Sequence, residues 1–152
     1  MKYLFDTNII SDLYDTSTKQ HLAIIERLNA LSNSDSLAIS IVTLYELEYA
    51  YANAPDAKKV IIKNDIDHLK ANFEVAPLSI ASAKIFGILK KQLKDSSMIS
   101  KENIKKHNID IMLASCAICD NYIVVSADKI FPVLKQFHNG LYIEDWTVYR
   151  MS

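Results

Sequence analysis

Four acidic residues stand where short apolar runs give way to polar ones. Asp6 follows Tyr3-Leu4-Phe5, Glu46 lies one helical turn beyond Leu37-Ala38-Ile39-Ser40-Ile41-Val42, Asp110 opens the apolar stretch to Cys119, and Asp128 closes the run from Tyr122 to Val125. If these runs are strands of one parallel sheet, their carboxyl ends share an edge, and ligands of such sheets bind beyond that edge. Carboxylates grouped there raise one another's pKa, so the set calls for a cation. Hard oxygen donors without a supporting set of Cys or His select Mg²⁺ or Mn²⁺ over zinc. Each acid also has a plainer role. Thr43-Leu44-Tyr45-Glu46 fits a capping box, Asp110 complements a helix dipole, and Asp6 and Asp128 suit caps or turns. Capping accounts for one acid per helix start, but it gives no reason for all four to fall on one edge.

Apolar spacing predicts the elements that position these acids. Tyr3 to Phe5 reads as a first strand, followed by helical spacing at Ile9, Ile10, Leu13 and Tyr14 and again at Leu22, Ile25, Leu28 and Leu31. The β-branched run 37–42 is a second strand. From Thr43 to Asn53 apolar residues cover nearly the whole helical circumference, Leu44, Leu47 and Tyr51 on one side and Tyr45, Tyr49 and Ala52 on another, which predicts burial on two sides. The second side would meet a neighbouring helix or belong to a dimer or partner surface. Pro55-Asp56 starts a lysine-bearing helix, Phe73 to Leu78 is a third strand, and Ser79 to Leu93 is a helix with Ile80, Ala83, Ile88 and Leu89 inward. Residues 94–107 form the one long polar loop; a helix from Ile109, a strand over 122–125 and a last strand at Leu141 to Ile143 complete the pattern. Strands alternating with helices make an α/β protein, a parallel sheet with helices on both faces.

The 152 residues suit one domain over 1–152, long enough to bury roughly 68–70% of the unfolded surface. Half are apolar and Gly and Pro number 2 and 3, which excludes disordered and low-complexity classes. Lys and Arg total 17 against 18 Asp and Glu, so the chain is no uniformly basic wrapper of nucleic acid, and a polyanion must be met locally. One place for that is residues 84–107, where seven Lys and two acids leave a surplus of five positive charges. A solvated helix face and a phosphate-tracking strip through Lys101, Lys105 and Lys106 toward Asp110 both fit. Cys116 and Cys119 share one apolar stretch and read as a buried structural pair in a reducing cytoplasm, because a redox pair needs a helix start to depress a thiol pKa. No signal h-region and no membrane span is present. The four His show no ligand spacing, and His107, nearest the acids, reads as a solvated surface residue.

The segments carrying the acids form a recognisable set: Leu4-Phe5-Asp6-Thr7-Asn8, Ile39 through Glu46-Leu47-Glu48-Tyr49, Asp110-Ile111-Met112-Leu113-Ala114, and Val124-Val125-Ser126-Ala127-Asp128. In order and spacing they resemble the PIN-domain ribonucleases, most closely the VapC-like toxins of type II toxin-antitoxin systems. The resemblance implies a three-layer α/β/α sandwich with a central, mainly parallel sheet. It implies a metal-dependent endoribonuclease in which Asp6, Glu46, Asp110 and Asp128 hold Mg²⁺ or Mn²⁺, with Asn8 and Ser126 as supporting polar residues. Glu46 is preferred to Glu48 because its Glu-Leu pair follows the strand at the family's distance. The resemblance further implies a small antitoxin partner and a homodimer. The chain departs from the family pattern at Ala50 and in the loop before Asp110, where Gly is common, at Ser126 in place of Thr, and at Ile130 in place of a further acid.

Two rivals differ in class. A catalytically inert PIN-like module that binds RNA or protein predicts a damaged acidic quartet, and this quartet is complete. A phosphotransferase of the haloacid dehalogenase type needs a second carboxylate two residues after the first, where this chain has Asn8.

Overall fold

The apolar run at the start of the chain becomes the central strand of a five-stranded sheet. A computed structural model describes residues 1–149, in the order β1 (Lys2–Phe5), α1 (Thr7–Tyr14), α2 (Lys19–Asn29), β2 (Ser36–Ser40), α3 (Ile41–Asn53), α4 (Asp56–Asn72), β3 (Glu74–Ala76), α5 (Ile80–Ser96), α6 (Lys101–Ile104), a 3₁₀ turn (Lys105–His107), α7 (Asn108–Asp120), β4 (Ile123–Val125), α8 (Ile130–Lys135) and β5 (Tyr142–Glu144). The strand order is β3-β2-β1-β4-β5 and every pairing is parallel. The expected α/β sandwich is what forms.

Alternation along β1 feeds two cores. Leu4, with Ala38 and Val124 in register beside it, packs under α5, α7 and α8 against Leu89, Leu93, Ile111, Leu113 and Leu134. Tyr3 and Phe5, with Ile39 and Val125, face the other way onto Ile9, Ile10, Leu13, Ile24 and Leu69. Trp146 closes that second core edge-on to Tyr3 and Phe5, with ring centroids 5.0 and 5.2 Å away. Such pairs each add about 0.5–1.5 kcal/mol beyond area burial. Three layers result, with β1 buried on both faces as a central parallel strand must be.

Local chemistry overrides several expectations from periodicity. β2 ends at Ser40 rather than Val42, because the Ser40 hydroxyl accepts the Val42 N–H at 3.1 Å and caps α3, drawing the β-branched pair Ile41-Val42 into a helix. The cap is therefore Ser40, not Thr43. α3 is not buried on two sides within the chain: Leu44 and Leu47 meet the core, while Tyr45 and Tyr49 are 72% and 71% exposed. In α2 the buried residues are Ala23 and Ile24, with Leu22 exposed. In α5 the inward residues are Ser82, Leu89 and Leu93, and Ile80, Ala83 and Ile88 lie outside. A capping box between Ser79 and Ser82 sets that helix's starting rotation, so the hydroxyl pair turns inward and Ile80 outward. The expected loop over 94–107 is largely helical, since α5 runs on to Ser96 and α6 and the 3₁₀ turn follow.

Cys116 is buried and Cys119 half-buried, both free. Burial and the nearby Asp120 charge push the Cys116 thiol up to about 11, as suits a structural residue. Among the described residues no helix is long and apolar enough to cross a membrane.

The two faces of α5 make a direct test. Leu89→Ala is expected to cost about 2–5 kcal/mol in chemical denaturation, and Ile80→Ala to stay within about 0.5 kcal/mol of the parent. Equal costs would show that the helix is rotated from the orientation described.

Candidate metal and nucleic-acid site

Strand register alone brings the first and last acids together. Phe5 pairs with Val125, so the next residues, Asp6 and Ser126, leave the sheet side by side, and the Asp6 N–H donates to the Val125 carbonyl at 3.1 Å. The chain passes from β1 through β2 to β3 on one side and returns to β4 on the other, so the gap between β1 and β4 is the switch point where α/β sheets bind ligands. Asp6 occupies the N-cap position of α1 without a side-chain cap bond. Its Oδ2 instead accepts from the Ser126 hydroxyl at 2.8 Å, and that hydroxyl accepts the Asp128 N–H at 3.0 Å. Ser126 thus ties two acids to one atom.

The other two acids arrive from opposite layers. Glu46 comes from α3, where its Oε1 accepts from the Thr7 hydroxyl at 2.6 Å; Thr7 also reaches Thr43 at 3.4 Å. Glu48, two residues on, points outward to Lys70 at 3.6 Å. Asp110 stands in the first turn of α7, and its Oδ2 meets His107 Nδ1 at 3.2 Å. His107 is therefore a half-buried partner of Asp110, not a solvated residue. Asp128 combines two roles, since its Oδ1 also accepts the Ile130 N–H at the start of α8. Asn8 is exposed and its side chain bonds to none of the acids. Sequence reasoning gives Thr7 no role and reads His107 as solvated, although each signal is present: a hydroxyl directly after Asp6, and an imidazole one turn before Asp110.

The acids act on one another electrostatically. Burial chiefly raises the Asp6 pKa, with Asp128 and Glu46 adding to it against the Ser126 and Thr7 hydrogen bonds. Burial pushes Asp110 up to about 6, and the charges of Asp6 and Asp128 add to that shift while His107 opposes it. Among the described residues no Lys or Arg forms an ion pair with any of the four. No three described His, Cys, Asp or Glu side chains stand close enough together to hold a metal ion as they are placed. The donor set nevertheless fits a hard divalent cation: oxygen donors only, like-charged and partly desolvated, with Asp6 and Glu46 held by neutral hydroxyls that leave their negative charge intact. Lys101, Lys105 and Lys106 are exposed on α6 and the 3₁₀ turn leading into Asp110, with no ion pair of their own among the described residues.

Residues 3–136 match the family model described as PIN domain. No curated protein matches the chain. Among solved structures it is similar to VapBC-1 from nontypeable Haemophilus influenzae, with 24% identity, a TM-score of 0.75, and coverage of 97% of this chain and 100% of that one. It is also similar to VapBC2 from Rickettsia felis bound to a DNA fragment from its promoter, with 23% identity, a TM-score of 0.74, and coverage of 96% and 99%. DNA-bound VapBC from Salmonella typhimurium follows, at 22% identity, a TM-score of 0.69, and coverage of 96% and 98%. These likenesses establish a shared fold over nearly the whole chain.

The raised Asp110 pKa has a definite sign in stability. A carboxyl whose folded pKa lies above its unfolded value costs nothing below the unfolded pKa near 3.8, and destabilises increasingly as pH rises toward about 6. In chelator, Asp110→Asn should match the parent's melting temperature near the low end of that window and exceed it at neutral pH, because Asn still accepts from His107 and carries no charge. Thermal melts across the window check this, and a variant less stable than the parent at neutral pH would refute the crowding.

Proposed function

The chain belongs to the PIN-domain family, and from that premise we propose that it is a metal-dependent endoribonuclease acting as the toxin of a toxin-antitoxin pair. The observation that supports the reading is that, at the switch point of the sheet, Asp6 feels the charges of Asp128 and Glu46, and Asp110 those of Asp6 and Asp128. Asp6, Glu46, Asp110 and Asp128 would hold Mg²⁺ or Mn²⁺, which when bound acidifies water and neutralises charge on phosphoryl oxygens. The chain's own residues keep the donors in place: Ser126 orients Asp6, Thr7 orients Glu46, and His107 orients Asp110. Asn8, exposed at the start of α1, is free to meet substrate rather than a carboxylate.

RNA suits an acidic edge of this kind only if cations stand nearby to meet its phosphates. Lys101, Lys105 and Lys106 supply them on the approach to Asp110. The matched structures are described as VapBC complexes, which supports a small antitoxin as partner. A second copy of the chain is the other partner proposed, and the exposed Tyr45 and Tyr49 face of α3 is where contact with either would bury apolar surface. We place the protein in the cytoplasm, where free thiols such as these persist.

RNA incubated with the purified protein should be cut only when Mg²⁺ or Mn²⁺ is supplied, leaving 5′-phosphate and 3′-hydroxyl ends. Asp6→Asn should abolish cleavage while RNA binding in chelator persists, since the change removes a negative charge from the cleft. Cleavage undiminished by excess chelator would overturn the mechanism, and binding without any cleavage would leave the inert RNA-binding module as the correct reading. Joint replacement of Lys101, Lys105 and Lys106 by Ala should flatten the salt dependence of RNA binding by about 2 in log–log slope, at about 0.7 per contact for single strands.

A further inference from the structure

α5 and α7 pack antiparallel. The Ser79 hydroxyl lies 3.8 Å from Cys119 Sγ, and farther along Ser82 and Phe86 share one apolar hollow with Met112 and Ser115. Counting from that contact, Lys90 to Lys94 lie 11 to 15 residues along α5, roughly 16–22 Å at 1.5 Å per residue. Asp110 lies nine residues back along α7, roughly 14 Å from the same contact. The carboxyl half of α5 therefore stands at the end of the layer that carries Asp110.

Here the surface is concave. Gly87, Lys90, Lys91, Lys94, Asp95 and Ile104 line a hollow of about 310 Å³ between α5 and α6. Its charge is unbalanced: Lys91 pairs with Asp95 at 2.6 Å, while Lys90 lies over the Phe86 ring and neither it nor Lys94 has a salt bridge among the described residues. Gly87 supplies a second, independent observation. It sits in the middle of a 17-residue helix, where glycine is disfavoured, and its φ is not in the left-handed region. A Cβ built there meets nothing within 4 Å, so neither packing nor backbone geometry in this chain asks for glycine. The missing side chain keeps the floor of the hollow open. Close approach of an outside group to the helix backbone would account for both the glycine and the lysines around it.

We propose that this hollow binds the phosphate backbone of single-stranded RNA beside the acidic edge, as a station separate from Lys101, Lys105 and Lys106. The inference rests on the ribonuclease reading and extends it, because it says where the strand runs on leaving the acids. Lys90 and Lys94 contact phosphate directly, Lys91 exchanges Asp95 for it, and Gly87 lets the strand lie against the helix.

The test is fluorescence-anisotropy titration of a labelled single-stranded RNA in chelator over a salt series, on four proteins. The parent is compared with Lys90→Gln/Lys91→Gln/Lys94→Gln, with Gly87→Glu, and with a control triple of the same charge change on α4, Lys58→Gln/Lys63→Gln/Lys70→Gln. The α5 triple should flatten the log–log salt slope by about 2, at about 0.7 per contact. Gly87→Glu should weaken binding about tenfold or more without lowering the melting temperature, since any side chain there improves the helix. The control should leave the slope unchanged. A parent that binds RNA, with slope and affinity retained in both α5 variants, overturns the hollow and leaves the ribonuclease reading standing. A parent that binds no RNA overturns both. Poly-glutamate titrated in parallel separates the alternative occupant: loss of poly-glutamate binding with RNA binding intact overturns the proposal in favour of an acidic protein segment.

Discussion

Like charge held together against its own repulsion is the constraint on which this structure turns. Four carboxylates share one edge of the sheet, and burial and mutual charge raise the pKa of at least Asp6 and Asp110. An isolated loop would relieve such crowding by moving apart. Here each acid is fixed by something rigid: Asp6 by the central strand, Glu46 by the helix that Ser40 caps, Asp110 by the first turn of α7, and Asp128 by its bond to the start of α8. Neutral hydroxyls and one imidazole orient the oxygens. A Lys or Arg in their place would have relieved the repulsion.

The two hydrophobic cores supply that rigidity. β1 contributes Leu4 to one and Tyr3 and Phe5 to the other, so the strand that presents Asp6 cannot shift register without exposing large side chains on both faces. Trp146, far along the chain, returns to seal the side that holds Tyr3 and Phe5, and its indole N–H donates to Glu144, which also holds Arg27. Local hydrogen bonding at Ser126 then converts register into geometry at the site.

Charge is divided over the surface to match. The acids lie at the switch point and the lysines on α5, α6 and the 3₁₀ turn beside it, within a chain whose formal net charge is only -1. A negatively charged strand is repelled by the first patch and drawn to the second, so the proposed ribonuclease reading needs both a cation at the acids and lysines at the flank. Bulk composition, nearly neutral, conceals this arrangement.

What the sequence by itself determined was periodicity and order: strands alternating with helices, the central apolar run ending in Asp6, and four acids each following or opening an apolar segment. Those are local properties, carried by side-chain type and spacing, and a parallel sheet then leaves its strand ends on one edge. Tertiary structure decided which faces turn inward and which neighbours the acids acquire. Ile80 and Ile88 fit an inward stripe as well as Leu89 does, and only the start set by Ser79 and Ser82, with the packing on α7, turned those two isoleucines outward and left Leu89 buried. Apolar residues surround α3 and so predict burial of Tyr45 and Tyr49, yet no described element covers them. Thr7 found Glu46 39 residues away and Ser126 found Asp6 120 residues away, contacts that no local spacing encodes. His107, three residues from Asp110, could be placed beside it by spacing, but its burial depended on α6 and the 3₁₀ turn folding where polar composition suggested a loop. Helix phase and long-range pairing follow from packing the whole chain at once, and that is why they were not legible one segment at a time.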